Sequence, residues 1–285
     1  MRTVKGLNSQ PKPSERQVFP MKFSAAGGWW GKDWYDKVRL GEKYGFPGVE
    51  QLGWLGLDFD LAKKTLDETG VTSTAIVIQS VKKENMEKTA WGHGMVWEDS
   101  RPAFLESFRE SVEAAKKMNV PNIIATTGNE RFDVSREEQF EICVKTLRQM
   151  ADIAEAEGIM IVLEPLNVLV NHMGYFLVTT EEAVKMIKAV DSKNCKLLFD
   201  IYHQQISEGN VIRNITNNID YIGHFHIADN PGRNQPGTGE LCYTNIFKAI
   251  QATGYDRWLA FECGRTLDVP DLVREMHNLI DPFSK

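Results

Sequence analysis

From Met21 onward the chain alternates short apolar runs with stretches of helical period, and this rhythm restricts the fold more than any other feature. Strands separated by helices cannot pair as hairpins. They pair in parallel, each crossover laying a helix against the sheet. The runs that read as strands fall at 21–26, 47–51, 73–78, 122–127, 160–164, 196–200, 221–227 and 258–263. Eight such runs in 285 residues predict an α/β chain folded as one (β/α)₈ TIM barrel, a fold that typically takes about 250 residues.

Two crossovers have a clear helical face. Leu105, Phe108, Val112 and Ala115 recur at three- and four-residue spacing, as do Phe140, Val144, Leu147, Ala151 and Ala154. Ser135 with Glu138 predicts a capping box before the second face and Gly158 a stop after it; Thr179 with Glu182 predicts another start. A weaker helical pattern covers 210–218. Residues 1–20 hold three prolines and several basic residues, and are expected to form a loose arm before the barrel, which then runs over 21–285. The longest irregular stretch after the arm, 80–100, carries Trp91, His93 and Trp97, and long loops of this kind often cover a site.

Composition narrows the function. With 42% hydrophobic and 25% charged residues the chain reads as an ordinary globular protein. A formal net charge of −6 disfavours the phosphate backbone, so no nucleic-acid partner is expected. No apolar run is long enough for a membrane span, and the first twenty residues lack the apolar stretch of a secretory signal. A cytoplasmic location is expected, although an export signal already removed upstream remains compatible with the sequence. The four cysteines, Cys143, Cys195, Cys242 and Cys263, are too widely spaced for a zinc ribbon and read as buried free thiols.

TIM barrels carry their active sites at the C-terminal ends of the strands. Four successive runs carry polar residues at or next to their ends: the fifth ends in Glu164 within Ile161-Val-Leu-Glu-Pro165, the sixth ends in Asp200 within Leu197-Leu-Phe-Asp200, the seventh carries His226 within Gly223-His-Phe-His226 and the eighth carries Glu262 within Ala260-Phe-Glu262. They are separated by 36, 26 and 36 residues, about one strand–helix unit each, so all four converge on one rim. A lone glutamate at a strand end is commonly a cap or a rim ion pair. Three carboxylates within reach of one another repel, and a bound dication removes the repulsion. This donor set suits one Mn²⁺, Mg²⁺ or Co²⁺ ion. Of the other histidines, His224 and His277 read as structural, while His172 and His93 lie in loops that can reach a substrate. Residues 236–239 can cradle a phosphate through backbone N–H groups, but a tight turn is the simpler reading.

Two segments, Asp200-Ile-Tyr-His-Gln-Gln-Ile-Ser-Glu-Gly209 and Ile227-Ala-Asp-Asn-Pro-Gly-Arg-Asn-Gln-Pro-Gly-Thr-Gly-Glu240, closely resemble the hydroxypyruvate isomerase family. That family belongs to the xylose-isomerase-like barrels, which include the ketose 3-epimerases. The resemblance implies that Glu164 and Glu262 are metal ligands that also exchange protons with substrate, and that Asp200 and His226 complete the metal site. It implies that His203 and Arg233 contact substrate oxygens and that Glu240 supports the loop after the seventh strand. It also implies a small sugar or keto acid as partner; self-association into a homo-oligomer stays open. Two positions depart from the pattern. Many hydroxypyruvate isomerases carry Gln where His226 stands, whereas ketose 3-epimerases carry His. Asn167 is followed by Val168, Leu169 and Val170 rather than by an arginine able to hold a substrate carboxylate, which favours a neutral ketose. Trp29, Trp30, Trp54, Trp91 and Trp97 near strand-end loops suit stacking on a sugar, Trp30 and His93 being taken as substrate contacts; packing of the barrel rim is the alternative for each.

The chemistry expected is proton transfer next to a carbonyl, giving an aldose–ketose isomerisation or an epimerisation through a metal-stabilised enediolate. The same chemistry can drive elimination from a 3-keto sugar or keto-glycoside, making a lyase or dehydratase. An inert sugar-binding barrel would have no use for two proton-transferring glutamates. Repair endonucleases share the barrel, but they need several zinc ions and a basic face, against six histidines and an acidic balance here.

Overall fold

The computed structural model describes residues 17–90 and 92–284. Trp91, Lys285 and most of the arm expected over 1–20 lie outside the described residues. The barrel strands are β1 (Lys22–Ala26), β2 (Gly48–Glu50), β3 in two segments (Thr72–Ser73 and Ala75–Val77), β4 (Asn122–Ala125), β5 (Met160–Leu163), β6 (Cys195–Asp200), β7 (Ile222–Ile227) and β8 (Trp258–Phe261). Every pairing is parallel and between sequence neighbours, and β8 returns to β1 with Lys22 opposite Trp258. The ring closes through the interrupted strand: Thr72 sits opposite Gly48 of β2, and Ala75 opposite Asn122 of β4. The break at Thr74 is not visible in the apolar pattern of 73–78. It is stabilised by the Asn122 side chain, whose Nδ2 donates to the Thr74 carbonyl at 2.9 Å.

Successive strand residues face opposite sides of the sheet. Phe199, Phe225, Ile227 and Phe261 join the large core between sheet and helices, whereas Ala75, Ile124, Val162 and Leu198 form a separate small cluster. The residues that alternate with the large core therefore face the barrel interior. Continuing that alternation upward from Val162, Leu198 and His224 brings Glu164, Asp200 and His226 to the same interior face at the C-terminal end.

The helices are α1 (Trp34–Lys43), α2 (Phe59–Thr69), α3 (Lys83–Thr89), α4 (Arg101–Met118), α5 (Arg136–Glu157), α6 (Thr180–Val190), α7 (Ile201–Ser207), α8 (Val211–Asn218), α9 (Tyr243–Ala252) and α10 (Val269–Ser284). The predicted starts hold: Ser135 accepts from the Glu138 N–H at 3.1 Å, and Thr179 from the Glu182 N–H at 3.2 Å. Gly158 ends α5 with φ +71°, the left-handed geometry that favours glycine. The buried face of α5 carries Leu147, Ala151 and Ala154 as expected and adds Cys143, Thr146 and Met150, while Phe140 and Val144 are only half-buried. Thr146 escapes an apolar-period reading because its hydroxyl is satisfied locally by the Ile142 carbonyl at 3.0 Å. The stretch 80–100 is not irregular throughout, since it contains α3 and a short 3₁₀ turn at Glu98–Ser100. All four cysteines are free; Cys143 and Cys195 are buried, but Cys242 is exposed at the start of α9, so the expectation of buried thiols fails there.

Candidate metal centre

Glu164 and Glu262 follow immediately after β5 and β8, Asp200 is the last residue of β6, and His226 is the last but one of β7. One donor atom from each of the four lies within 4.8 Å of the others. Asp200 and His226 are opposite each other in the β6–β7 ladder, so the sheet itself sets their separation.

Asp200 has two tasks. Its Oδ1 caps α7, accepting from the Tyr202 and His203 N–H groups at 2.8 and 3.1 Å. That leaves Oδ2 turned into the site, 3.4 Å from Arg233 Nη2 and 3.5 Å from His203 Nε2. His226 is also held from one side. Its Nε2 meets Glu50 Oε1 at 2.7 Å, while Nδ1 points at Glu262 Oε2 (3.0 Å) and Glu164 Oε1 (3.4 Å). Despite that proximity, neither His226 Nδ1 nor Glu164 Oε1 has a hydrogen-bond partner, and both are buried. A ring nitrogen and two carboxylate oxygens that face one another can be bridged by a proton on the ring, which burial opposes but the neighbouring carboxylates favour, raising the His226 pKa well above its usual value, or by a metal ion in its place. Spacings of 3.0 and 3.4 Å match two ligands of one ion at about 2.1 Å each, roughly 3.0–3.4 Å apart. The residues thus fit a divalent ion held by oxygen and imidazole donors.

The electrostatics separate the two glutamates. Burial pushes the Glu164 carboxyl up to about 7, helped by the charges of Glu262 and Asp200 and opposed by His226. Burial pushes Glu262 up as well, but His226 and Arg233 outweigh it and hold the group below its usual range. Without an ion the two carboxyls are thus driven apart in acidity, Glu164 holding its proton more tightly than Glu262.

His203 and Arg233 border the same space. Asn167 Oδ1 accepts from the Val170 and Asn171 N–H groups, so its Nδ2 faces His203 Nδ1 at 2.6 Å. The His203 proton therefore sits on Nε2, which is buried, unpartnered and turned toward Asp200. Burial lowers the His203 pKa to about 4, Arg233 adding to the effect and Asp200 opposing it, so the ring is a neutral donor at physiological pH. Arg233 reaches the site from the loop after β7, and its Nη2 lies 2.5 Å from Glu262 Oε2. Its backbone is left-handed at φ +53°, which costs a non-glycine residue of order 1 kcal/mol. The buried Asp229 holds the loop in place, taking N–H groups from Asn230, Gly237 and Leu241. Glu240 is exposed and braces the same loop, accepting from Asn230 Nδ2 at 2.7 Å and Gln205 Nε2 at 3.2 Å.

Two expected substrate contacts are not brought to this cluster. Trp30 is buried against Trp29, Tyr44 and Phe46, with Nε1 donating to the Lys37 carbonyl. His93 stacks on Trp97 and bonds Asp99 at 3.1 Å. His224 is buried, and His277 donates through Nε2 to the Tyr44 carbonyl at 2.7 Å with Nδ1 3.1 Å from Asp281 Oδ1, as structural histidines do. Glu50 is the buried site residue that sequence reading missed. A strand end taken at Gln51 hid it, whereas β2 in fact terminates on Glu50. Beside it opens a cavity of about 380 Å³ walled by Glu50, Glu262, Lys37 and Gln51.

Asp200→Asn and His226→Ala should each weaken Mn²⁺ binding at least tenfold, about 1.4 kcal/mol or more. Asparagine retains the helix cap, so the first variant keeps its fold while losing a charged donor. Calorimetric titration with Mn²⁺ checks this, and unchanged affinity in both variants would remove these residues from direct contact with the ion.

A family model described as xylose isomerase-like TIM barrel matches residues 38–282. Hydroxypyruvate isomerase of Escherichia coli is 31% identical over 234 residues, covering 81% of this chain and 87% of the relative. Among solved structures, an AP endonuclease, family 2, from Brucella melitensis superposes with a TM-score of 0.81 at 24% identity, over 94% of this chain and 100% of that one. A 3-keto-D-glucoside 4-epimerase from E. coli gives 0.77 at 24% identity, over 92% and 99%. At these identities the structural likenesses establish the barrel and nothing of its chemistry. The family match, spanning every strand from β2 to β8 and all four residues of the cluster, establishes that the chain belongs to the xylose isomerase-like TIM barrel family.

Proposed function

We propose that this protein is a divalent-metal-dependent sugar isomerase or epimerase that moves a proton next to the carbonyl of a ketose or keto acid. The observation that carries the reading is the pair Glu164 and Glu262, set on either side of His226 Nδ1 and driven apart in acidity by their surroundings. Bound to Glu164, Asp200, His226 and Glu262, the ion would polarise the carbonyl and an adjacent hydroxyl and offset the negative charge that develops on them.

The side chains supply the rest. Glu262, held ionised and on the cavity wall, takes the carbon-bound proton and returns it to the neighbouring carbon in an isomerisation; in an epimerisation Glu164 would take a proton from solvent and deliver it to the opposite face, and Glu262 would release its own to solvent. The His203 Nε2–H donates to a substrate oxygen, and Arg233 neutralises charge between Asp200 and Glu262. The E. coli relative carries the name of an enzyme for a short keto acid. In this chain Val168, Leu169 and Val170 follow Asn167 where the resembled family tends to carry an arginine able to hold a carboxylate, and a cavity of about 380 Å³ adjoins Glu262. These features favour a ketose or keto-sugar within the proposed class.

The test is a panel of ketoses and keto acids incubated with the Mn²⁺-loaded protein in D₂O. Deuterium is expected at the carbon next to the carbonyl in recovered substrate or product. Loss of a substituent seen by NMR would replace isomerisation with elimination, and absence of exchange across the panel would defeat the proton-transfer reading.

A further inference from the structure

We propose that Glu50 is the positioning residue of the metal centre, fixing the His226 ring so that Nδ1, and only Nδ1, is presented to the ion. The inference rests on the metal-centre reading above and adds to it a residue on the opposite side of the barrel sheet order, β2.

Glu50 is buried at the end of β2, and its ion-pair partners are two imidazoles rather than a lysine or arginine. A buried carboxylate survives only when its lone pairs are hydrogen-bonded. Here Oε1 faces His226 Nε2 at 2.7 Å, and Oε2 takes the Thr74 hydroxyl at 2.7 Å and faces His224 Nε2 at 2.8 Å. An ionised carboxylate only accepts, so each ring nitrogen that touches it carries a proton. For His226 that fixes a proton on Nε2 and leaves Nδ1, the atom facing Glu164 and Glu262, as the one ring nitrogen that can give up its proton to a metal ion. A carboxylate behind a ligating imidazole both sets the tautomer and raises ligand basicity.

The barrel is built to hold Glu50 there. The interruption of β3 turns the Thr74 hydroxyl toward Glu50, and Ser24 of β1 contacts the same hydroxyl at 3.0 Å. Gly48, two residues earlier on β2, has no room for a side chain: an added Cβ would lie 2.9 Å from Thr74 Cγ2 and 2.8 Å from the Trp258 ring. A second ion among Glu50, His224 and His226 is the competing arrangement, since these three also converge. Their spacings of 2.7 and 2.8 Å are those of direct hydrogen bonds, and are shorter than the roughly 3.0–3.4 Å expected between two ligands of one ion.

The test uses the full chain with ¹⁵N-labelled histidine, titrated with Zn²⁺ as a diamagnetic probe and assigned by comparison with His226→Gln. The parent should bind one ion per chain, with His226 Nδ1 metal-bound and Nε2 protonated. Glu50→Gln, which keeps the volume and one acceptor oxygen, should lower Zn²⁺ affinity about 10- to 100-fold while the fold persists. Glu50→Leu should lower it further and remove the single-tautomer signature of His226. Coordination through Nε2, two ions per chain, or a Glu50→Gln protein with parental affinity and tautomer would each overturn the proposal while leaving the four-residue centre standing. A parent that binds no ion would overturn both, and so the two failures are told apart.

Discussion

Exhaustive chelation is expected to abolish turnover, and Mn²⁺, Co²⁺ or Mg²⁺ to restore it. Three buried or half-buried carboxylates converge with one imidazole, and without the ion the protein relieves their repulsion by keeping a proton. Burial, then the neighbouring charges of Glu262 and Asp200, put Glu164 at about 7, so near neutrality a proton and the metal compete for it. The sign follows directly. Metal affinity should fall as the pH is lowered through 7, because Glu164 must lose its proton to ligate. Stability of the metal-free protein should move the other way. Its folded pKa lies above the ordinary value of 4.5, so the stabilisation from protonated Glu164 is complete below 4.5 and is lost as the pH rises toward 7. Asp200 and Glu262, held below their usual ranges, lose their contributions only in more acid solution. The gain in Tm on adding Mn²⁺ should therefore be larger at pH 8 than at pH 5. Elemental analysis beside activity and thermal melts checks both parts, and full activity in a sample verified as metal-free would defeat the metal-dependent reading.

The barrel was legible because its strands are continuous apolar runs separated by helices of clear period, and because glycine, serine and threonine mark the helix ends at Ser135, Gly158 and Thr179. The four rim residues were legible for a related reason: a polar side chain at the end of an apolar strand stands out against its surroundings. Glu50 did not stand out. Its strand is only three residues long, Gln51 follows it, and its acceptors are filled by residues more than twenty positions away along the chain, at Thr74, His224 and His226. The break at Thr74 was hidden in the same way, since what stabilises it is the Asn122 side chain from the next strand.

Aromatic residues near the rim were ambiguous for the opposite reason. Trp30 has the ring area to stack on a sugar, but the same area is satisfied by burial against Trp29, Tyr44 and Phe46, and local sequence does not distinguish the two outcomes. His93 is engaged by Asp99 and Trp97 within its own loop, a contact set fixed by the folding of 80–100 around α3. The loop after β7 lies between these cases. Its Pro-Gly-Arg motif marks Arg233 as special, yet only the tertiary structure reveals that Asp229 holds the turn that aims it.

Glu262→Gln should keep the fold and its metal and lose about 10² or more in turnover. Glutamine has nearly the same volume and keeps one oxygen as a ligand, so the packing around β8 is undisturbed. The side chain of Glu262 is 29% exposed, against 10% for Glu164 and none for Asp200, which makes it the acidic member of the cluster most open to the cavity. His226 and Arg233 outweigh burial and hold it ionised, the state a base needs, and an amide cannot accept a proton near neutral pH. The substitution also removes the charge that Arg233 Nη2 meets at 2.5 Å, leaving that guanidinium with Asp200 at 3.4 Å. A rise in KM with unchanged kcat would therefore report lost positioning of Arg233, whereas the expected fall in kcat reports lost proton transfer. Solvent deuterium entering recovered ketose, measured with metal content, separates the two cleanly. If Glu262→Gln exchanges deuterium as fast as the parent, Glu262 is not the base, and Glu164→Gln becomes the variant that must lose the exchange if the paired-carboxylate mechanism is right.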